Sequence, residues 1–386
     1  MENQVKLERT VLVGVQLQGV SDDDFAESLA ELRELLLSAK GKPVGTLTQR
    51  RDRPDSRSYI GKGKLEELGQ LVEEQQADAV IFDEKLTPAQ VRNLETALDV
   101  KVIDRGNLIL DIFARRARSR ESRLQVELAQ LEYLLPRLTR MWSHFSRHAG
   151  GIGTRGPGET QLESDRRQIG TRISYLKQRL KKVNKQRETQ RKQRMEQAFK
   201  IALVGYTNAG KSTLFNQLTR SGVWADNMLF CTLDATTRYL PLSDNRRIVI
   251  SDTVGFIKKL PHELVASFAS TLDEVRFADL LLHLVDSSHS HALEHYQRTN
   301  QILQDIGAGQ VPRLVLLNKS DLLKGENLPL LDGALKPDSI YQISARTGAG
   351  LDILLKRLLD FVDKRTGATN RPSWEQVNGQ GQSSDS

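Results

Sequence analysis

The sequence predicts an α/β protein with two mostly parallel sheets and an antiparallel helical hairpin between them. Short apolar strands alternate with helical patterns in the first 120 residues and again after residue 198, and such alternation is typical of parallel sheets. In between, apolar residues recur at steps of three and four, which is the period of packed helices. We therefore expect domains at 1–120, 121–198 and 199–363, followed by a disordered polar tail at 364–386.

The N-terminal region predicts a small α/β domain. The expected strands are Thr10–Leu17, Ala79–Phe82 and, more weakly, Val100–Ile103, and the expected helices are Asp22–Lys40, Lys64–Gln76 and Pro88–Leu98. Ser21 and Thr87 precede two of these helices and are good N-cap residues. The segment Gly61–Lys64 lacks the full spacing of a phosphate loop, so we interpret it as a turn into a helix.

Two apolar seams predict the hairpin. The first comprises Leu124, Leu128, Leu131, Leu135, Leu138 and Trp142, and the second comprises Ile169, Ile173, Leu176, Leu180 and Val183. The predicted connection, His148–Gln161, contains five glycines, so it is either flexible or shaped for close contact with a partner.

Composition and charge narrow the classes of function. The longest strongly apolar run, Leu280–Val285, is far shorter than the roughly 20 residues that span a bilayer. The single cysteine, Cys231, excludes an intramolecular disulfide and fits a reducing cytosol. The net charge of +7 is uneven, because Arg166–Lys200 contains thirteen basic and two acidic residues. This segment indicates either a polyanionic partner or a solvated helix face.

A phosphate-binding loop follows the apolar strand Ile201–Val204. The loop Gly205–Ser212 (GYTNAGKS) has the GxxxxGK[ST] spacing and precedes a helical run. Its glycines allow backbone N–H groups to surround phosphates, and the helix N-terminus favours an anion. Lys211 is expected to reach the β- and γ-phosphates, and the Ser212 hydroxyl to ligate Mg²⁺.

A second motif, Asp252–Gly255, ends the strand Ile248–Ser251. Asp252 is placed to hold Mg²⁺ through water, and Gly255 to offer its backbone N–H to the γ-phosphate. A hydroxyl in the intervening segment Phe230–Arg238 is expected to complete the Mg²⁺ shell. The residue after the motif is Phe256, which cannot orient a water through its side chain, so intrinsic hydrolysis should be slow.

A third motif selects the base. Asn318–Asp321 (NKSD) follows the strand Leu314–Leu317, and a carboxylate at Asp321 can accept from both N–H groups of guanine. Ser344 and Ala345 follow one more strand, Ile340–Ile343, where backbone N–H groups are placed to meet the guanine oxygen. Motifs in this order, each at a strand end, predict a P-loop GTPase domain that hydrolyses GTP by in-line attack of water.

His283, His289, His291 and His295 form a histidine-rich stretch without the carboxylate or cysteine company of a zinc site. We interpret them as polar surface residues. Cys231 beside the switch segment is either redox-sensitive or a small apolar filler.

The motifs and their surroundings resemble the HflX family of translation-associated GTPases over nearly the whole chain. The specific parts are the N-terminal α/β domain, Gly153–Arg167 (GTRGPGETQLESDRR) and the switch sequence Thr232–Arg238 (TLDATTR). The resemblance implies catalytic roles for Lys211 and Gly255, and Mg²⁺ ligation by Ser212 and Thr232. Carried over by position, the nucleotide site comprises Gly205, Tyr206, Thr207, Asn208, Ala209, Gly210, Lys211, Ser212, Phe230, Cys231, Thr232, Leu233, Asp234, Asp252, Thr253, Val254, Gly255, Asn318, Lys319, Ser320, Asp321, Ser344, Ala345 and Arg346.

The resemblance also implies a partner, the large ribosomal subunit, and an activity in ribosome dissociation, rescue or subunit biogenesis. The predicted RNA contacts are Arg155, Arg166, Arg167, Arg172 and Lys177. We expect a cytosolic monomer, partly on ribosomes or a membrane surface but not inserted in a membrane. The alternative is a regulatory switch whose basic helix meets a protein or acidic lipid.

Asn208 stands where potassium-dependent GTPases carry an asparagine, so either K⁺ or the ribosome is expected to supply the missing catalytic group.

Overall fold

The computed structural model describes residues 7–141, 157–195, 198–220, 229–230, 232–241, 247–259, 269–323 and 340–366. Within these ranges the chain forms two mostly parallel sheets and a pair of long packed helices. The predicted fold class is therefore confirmed, whereas the predicted domain boundaries stay predictions. No described helix has the length and apolar character needed to cross a membrane.

The first sheet has the strand order β2-β1-β3-β4, and all of its strands run parallel. Ser21 Oγ accepts the amide hydrogen of Asp24 at 3.0 Å, and Thr87 forms a capping box with Gln90, so both predicted N-caps are confirmed. The elements are β1 Arg9–Leu17, α1 Asp22–Ser38, β2 Lys42–Arg51, α2 Lys62–Glu74, β3 Ala79–Phe82, α3 Pro88–Leu98, β4 Lys101–Asp104 and α4 Arg105–Arg116.

Two elements of this unit were not predicted, β2 and α4. Strand β2 is an edge strand in which only Leu47 is buried, so it lacks the apolar run that marks an inner strand. Helix α4 begins directly after β4, and Asp104 caps it by accepting the amide hydrogen of Asn107 at 2.9 Å. Because no loop separates β4 from α4, no turn residues mark where the two-residue period of the strand changes to the helical period.

The hairpin consists of α5 (Arg120–Met141) and α6 (Pro157–Met195). Leu128, Ile173 and Leu176 are buried between the helices, as the apolar seams predicted. The predicted loop His148–Gln161 is wrong at its end, because α6 already begins at Pro157, a residue well suited to a first helical turn. Residues 142–156, including Trp142 and the rest of the predicted loop, lie outside the described ranges.

Two ion pairs show the relative direction of the hairpin helices. Arg172 Nε lies 2.7 Å from Glu127 Oε1, and Lys177 Nζ lies 2.9 Å from Glu132 Oε1. If Leu128 and Ile173 are taken as a positions of a heptad, Glu127 and Arg172 both occupy g positions, and Glu132 and Lys177 both occupy e positions. Each ion pair therefore joins the same heptad position of the two helices. This pairing arises when packed helices run in opposite directions, so the hairpin is antiparallel.

The second sheet has the order β10-β9-β8-β5-β7-β6, in which only β6 is antiparallel to its neighbour. Helix α10 continues to Thr366, past the predicted start of the tail, because its buried face extends to Val362. Residues 367–386 lie outside the described ranges. The elements are β5 Phe199–Gly205, α7 Lys211–Thr219, β6 Thr236–Tyr239, β7 Ile248–Asp252, α8 Ala269–Arg276, β8 Leu280–Asp286, α9 Ala292–Asp305, β9 Arg313–Asn318, a 3₁₀ turn at Ser320–Leu322, β10 Ile340–Gln342 and α10 Leu351–Thr366.

One apolar cluster joins the unit built on the first sheet, called the N-terminal unit, to the predicted GTPase domain built on the second sheet, called the GTPase unit. Residues of α4 pack with side chains from the two segments that flank β6 and β7, including Leu233, Val254 and Ile257. At its centre the rings of Phe113 and Phe230 meet edge to face, with their centroids 4.7 Å apart. The switch segment Phe230–Arg238 and the segment that contains the Asp252–Gly255 motif therefore pack against the N-terminal unit.

Strand β8 buries a histidine in the second sheet. His283 is fully inaccessible, its ring stacks on Tyr296, and neither ring nitrogen has a hydrogen-bond partner among the described residues. Burial, followed by the positive charges of Arg313 and Lys211, lowers the pKa of His283 to about 3. The interpretation of His283 as a surface residue is wrong, because the residues on either side of it in the run Leu280–Val285 are apolar and carry it into the core.

This burial predicts a loss of stability in acid. The unfolded chain protonates His283 near pH 6.5 and the folded chain only near pH 3. Stability is therefore retained above pH 6.5 and is lost by on the order of 1.4 kcal/mol per pH unit between these values. We expect His283→Leu to flatten this part of the pH profile of the free energy of unfolding, measured by urea denaturation. Parallel profiles for parent and variant would contradict the assignment.

Candidate nucleotide-binding and catalytic site

The phosphate loop connects β5 to α7. Gly210 has a φ of 94°, and a Cβ placed there would lie 2.2 Å from Nδ2 of Asn318, so this turn requires glycine. Lys211 Nζ donates to the carbonyl oxygens of Gly205 and Tyr206, at 3.1 and 2.7 Å. The ammonium group is therefore held at the inner edge of the loop, where phosphate oxygens would be bound.

Three oxygen-bearing side chains converge beside the loop. Ser212 Oγ and Thr232 Oγ1 lie 2.9 Å apart, and each donates to Asp252 Oδ2 at 2.7 Å. Burial raises the pKa of the Asp252 carboxyl, while these two hydrogen bonds act in the opposite direction. Its Oδ1 atom is buried without a partner among the described residues. Hydroxyl and carboxylate oxygens are the donors that Mg²⁺ prefers, so this set fits the predicted ion.

The Asp252–Gly255 motif passes close to the phosphate loop. A Cβ on Gly255 would lie 2.9 Å from Thr207 Cα and 3.0 Å from Lys211 Nζ, so no side chain fits there. The Thr207 amide donates to the carbonyl oxygen of Phe256 at 2.7 Å, which fixes the two segments together. The Phe256 side chain is buried among Val204, Leu272 and Val275 and does not line the site. A water-orienting role for this residue is therefore excluded.

The base-reading end is built by hydrogen bonds around Asn318. Its Nδ2 donates to the Ala209 carbonyl at 2.8 Å, and its Oδ1 accepts the Ala345 amide hydrogen at 2.9 Å. Ser344 Oγ donates to Asp321 Oδ1 at 2.6 Å, which orients the carboxylate that is expected to read guanine. The Ser344 amide donates to Ala349 O at 3.0 Å. The Ser344 and Ala345 amides thus donate within the protein, and their contact with guanine stays a prediction.

A cavity of about 530 Å³ connects these parts. Most predicted side chains line it, and Thr213 and Leu322 line it without having been predicted, although each directly follows a predicted residue. The predicted residues in its lining are Thr207, Asn208, Gly210, Lys211, Ser212, Phe230, Thr232, Thr253, Gly255, Asn318, Lys319, Asp321, Ala345 and Arg346. Cys231 lies outside the described ranges.

Four predicted site residues direct their side chains toward the N-terminal unit instead. Leu233 and Val254 belong to the apolar cluster at α4, and Tyr206 donates to Glu31 Oε1 at 2.6 Å. Asp234 accepts from the amides of Arg118 and Ser119, both at 3.0 Å, and from Ser119 Oγ. Any contact of these four residues with a nucleotide is therefore limited to the backbone.

The residues predicted to contact RNA divide into two groups. Arg166 and Arg167 are exposed on α6, whereas Arg172 and Lys177 are exposed but engaged in the hairpin ion pairs. Arg155 lies outside the described ranges. Of the histidines, His295 is also largely buried, and its Nε2–H donates to Oε1 of Glu27 of α1 at 2.9 Å. The sequence around the histidines lacks a carboxylate to accompany them, and the fold supplies one from Glu27, which is 268 residues away from His295.

A phosphate loop, a carboxylate strand end and an Asn-Lys-x-Asp base loop, aligned along one edge of a mostly parallel sheet, define a P-loop GTPase. Models of three protein families match the chain: a GTP-binding GTPase N-terminal region at residues 26–114, a GTP-binding GTPase middle region at 116–194, and a 50S ribosome-binding GTPase at 200–319. The protein is thus an enzyme that hydrolyses GTP.

Similar proteins define the family more closely. The GTPase HflX of Caldanaerobacter subterraneus is 49% identical over 93% of this chain and 82% of its own length, and that of Escherichia coli is 45% identical over 92% and 82%. The chain belongs to the HflX family. The solved structure of a GTP-binding protein called SsGBP in complex with GDP, 26% identical, covers 93% of this chain and 99% of its own, with a TM-score of 0.52.

The role of Asp321 can be tested by base preference. Asp321→Asn should weaken GTP binding by about tenfold or more, since a charged hydrogen-bond pair contributes about 1.5–3 kcal/mol, and should shift preference toward XTP. Competition binding with GTP, ATP and XTP measures this. The matched control is Ser344→Ala, which removes the hydroxyl that orients Asp321 and should weaken GTP binding without changing base preference. Unchanged GTP affinity in Asp321→Asn would remove this residue from its role.

Proposed function

We propose that this GTPase acts on the large ribosomal subunit, in ribosome dissociation, rescue or subunit biogenesis. The main observation is the basic segment Arg166–Lys200, which includes most of α6 and has thirteen basic and two acidic residues. A charge of this density suits RNA phosphates. The match of residues 200–319 to a family described as 50S ribosome-binding GTPase supports the same partner.

The ion pairs of the hairpin refine the proposed RNA contact. Arg172 and Lys177 each face a glutamate across the helix pair, so part of their charge is used within the protein. Arg166 and Arg167 are exposed on α6, and neither forms an ion pair with another described residue. We therefore assign the phosphate contacts to these two arginines first.

Hydrolysis is proposed to proceed by in-line attack of water on the γ-phosphate. Ser212, Thr232 and, through water, Asp252 would hold Mg²⁺, which when bound neutralises charge on the β- and γ-phosphates. Lys211 supplies a second positive charge, and the Gly255 amide can donate to the γ-phosphate. Catalysis on this account consists of positioning and electrostatic stabilisation.

The catalytic group that Phe256 cannot provide is proposed to come from K⁺ or from the ribosome. Asn208 lines the cavity and adopts a left-handed backbone conformation, with a φ of 60°. Its side-chain oxygen is a suitable ligand for K⁺ beside the phosphates, where the added charge would stabilise the transition state.

The ribosomal contact can be tested with charge-matched variants. The double variant Arg166→Gln, Arg167→Gln should bind the large subunit more weakly, with a slope of log affinity against log salt reduced by about 2. Its control, Lys42→Gln with Lys356→Gln, removes the same charge from exposed positions outside the hairpin and should bind like the parent. Sedimentation with purified subunits and a non-hydrolysable GTP analogue measures both.

Two results would contradict the proposed contact. Equal subunit binding by the hairpin variant and the parent across the salt series would exclude these arginines. Binding to anionic lipid vesicles that is lost in the same variant, without binding to subunits, would favour the alternative switch on a membrane surface.

The cation requirement gives a further prediction. GTP turnover should be about tenfold or more faster in K⁺ than in Na⁺ at equal ionic strength, because the ion stabilises charge that develops in the transition state. The stimulation should disappear in Asn208→Ala. Single-turnover assays with and without ribosomal subunits measure it. Identical rates in the two salts would leave the ribosome as the source of the missing group.

A further inference from the structure

A group of metal-binding side chains lies where the N-terminal unit meets the GTPase unit. Glu27 is on α1, His289 is in the turn after β8, and His295 is on α9. One carboxylate oxygen and one ring nitrogen from each histidine all lie within 4.8 Å of one another. The three residues come from separate elements, so the fold, not the local sequence, brings them together.

The charges around this group favour an additional cation. Lys258 Nζ contacts carboxylate oxygens of Glu27 and Glu294 and lies 3.7 Å from Asp24. A single ammonium group therefore faces three carboxylates. Because the lysine contacts Oε2 of Glu27, the Oε1 atom remains directed toward His295, at 2.9 Å from its Nε2.

We propose that Glu27, His289 and His295 bind a divalent transition-metal cation of the Zn²⁺ type across the interface of the two units. Metal–ligand distances of about 2.0–2.1 Å place two ligands of a tetrahedral ion about 3.3 Å apart. The Oε1–Nε2 separation of 2.9 Å is already close to that value. The ion would take the place of the hydrogen between these atoms, with the ring proton of His295 moving to Nδ1.

The ligand chemistry agrees with this assignment. Imidazole nitrogens bind a metal ion in their neutral form. Two imidazoles favour Zn²⁺, Co²⁺ or Ni²⁺ over Mg²⁺ or Ca²⁺. The His291 amide donates to His289 Nδ1 at 3.1 Å, and coordination through that nitrogen would replace this one hydrogen bond at an exposed ring.

The position of the site links it to the phosphate loop. The ring of His295 stacks on that of Tyr206, with centroids 3.7 Å apart and planes 5° from parallel. A bound ion would fasten α1 to α9 directly beside the first residues of the loop. We expect the ion to stabilise the contact between the two units, independently of any ribosomal partner.

The test uses the full-length protein saturated with Mg²⁺ and GDP, so that the nucleotide site is filled. After transition metals have been removed, this Mg²⁺- and GDP-bound protein is titrated with Co²⁺, followed by its visible absorption, and with Zn²⁺ in competition with a chromogenic chelator. We expect one Co²⁺ per chain with the absorption of nitrogen and oxygen ligands, and a higher melting temperature in Zn²⁺.

The variants separate this site from other histidines. His289→Gln should lower the Zn²⁺ affinity by about tenfold or more, and Glu27→Gln, as a second variant, should do the same. The matched variant His291→Gln alters an overlapping group that His291 forms with Glu27, Asp24 and Glu294, and it should bind Zn²⁺ like the parent if His289 and His295 are the ligands. GDP affinity should be unchanged in His289→Gln. Equal Zn²⁺ affinity in the parent and His289→Gln, or loss confined to His291→Gln, would overturn the proposal.

Discussion

Buried charge at the contact between the two sheet units constrains the whole arrangement. Arg105 is almost fully buried and contacts both Asp83, at 2.6 Å, and Glu31. Burial opposes ionisation of Asp83, but Arg105 and Lys259 outweigh it and hold the pKa of this carboxyl below its ordinary value. Lys259 of the GTPase unit contacts Asp83 across the interface, so moving the two units apart would remove one of the charges that compensate this buried carboxylate.

This contact reaches the nucleotide site through Tyr206 and the segment after Gly255. The Tyr206 hydroxyl donates to Glu31 and accepts the Lys258 amide hydrogen at 2.7 Å, while Lys259 contacts Asp83. Phosphate loop, second motif and N-terminal unit therefore share one network. On the other side of the site, Asp234 accepts hydrogen bonds at the start of α5. A rearrangement of either segment with the nucleotide would strain contacts that lead directly to the hairpin.

The sequence predicted features that depend on neighbouring residues, and it missed most of those that depend on contacts between distant segments. Motif spacing and caps are local, so the sequence identified Lys211, Ser212, Asp252 and Asp321 as candidates, and it identified the caps at Ser21 and Thr87. Pairings between distant segments have no local signal. The ion pairs of Arg172 and Lys177 and the carboxylate beside His295 were missed for that reason. The burial of His283 was misjudged although the apolar run around it is a local signal. The edge strand β2 was missed because its burial pattern is weak.

The burial of Phe256 joins these observations to catalysis. In this sheet the residue after Gly255 forms a backbone bridge to Tyr206 and packs its ring against Val204 and Leu272. The ring helps hold Gly255 against the phosphate loop, where an added Cβ would lie 2.9 Å from Thr207 Cα and only a glycine fits, but it cannot also orient a water. The geometry thus gives rigidity to the second motif at the expense of a built-in water-orienting side chain. The group that orients the water therefore has to come from another residue of the cavity lining, from an ion or from a partner.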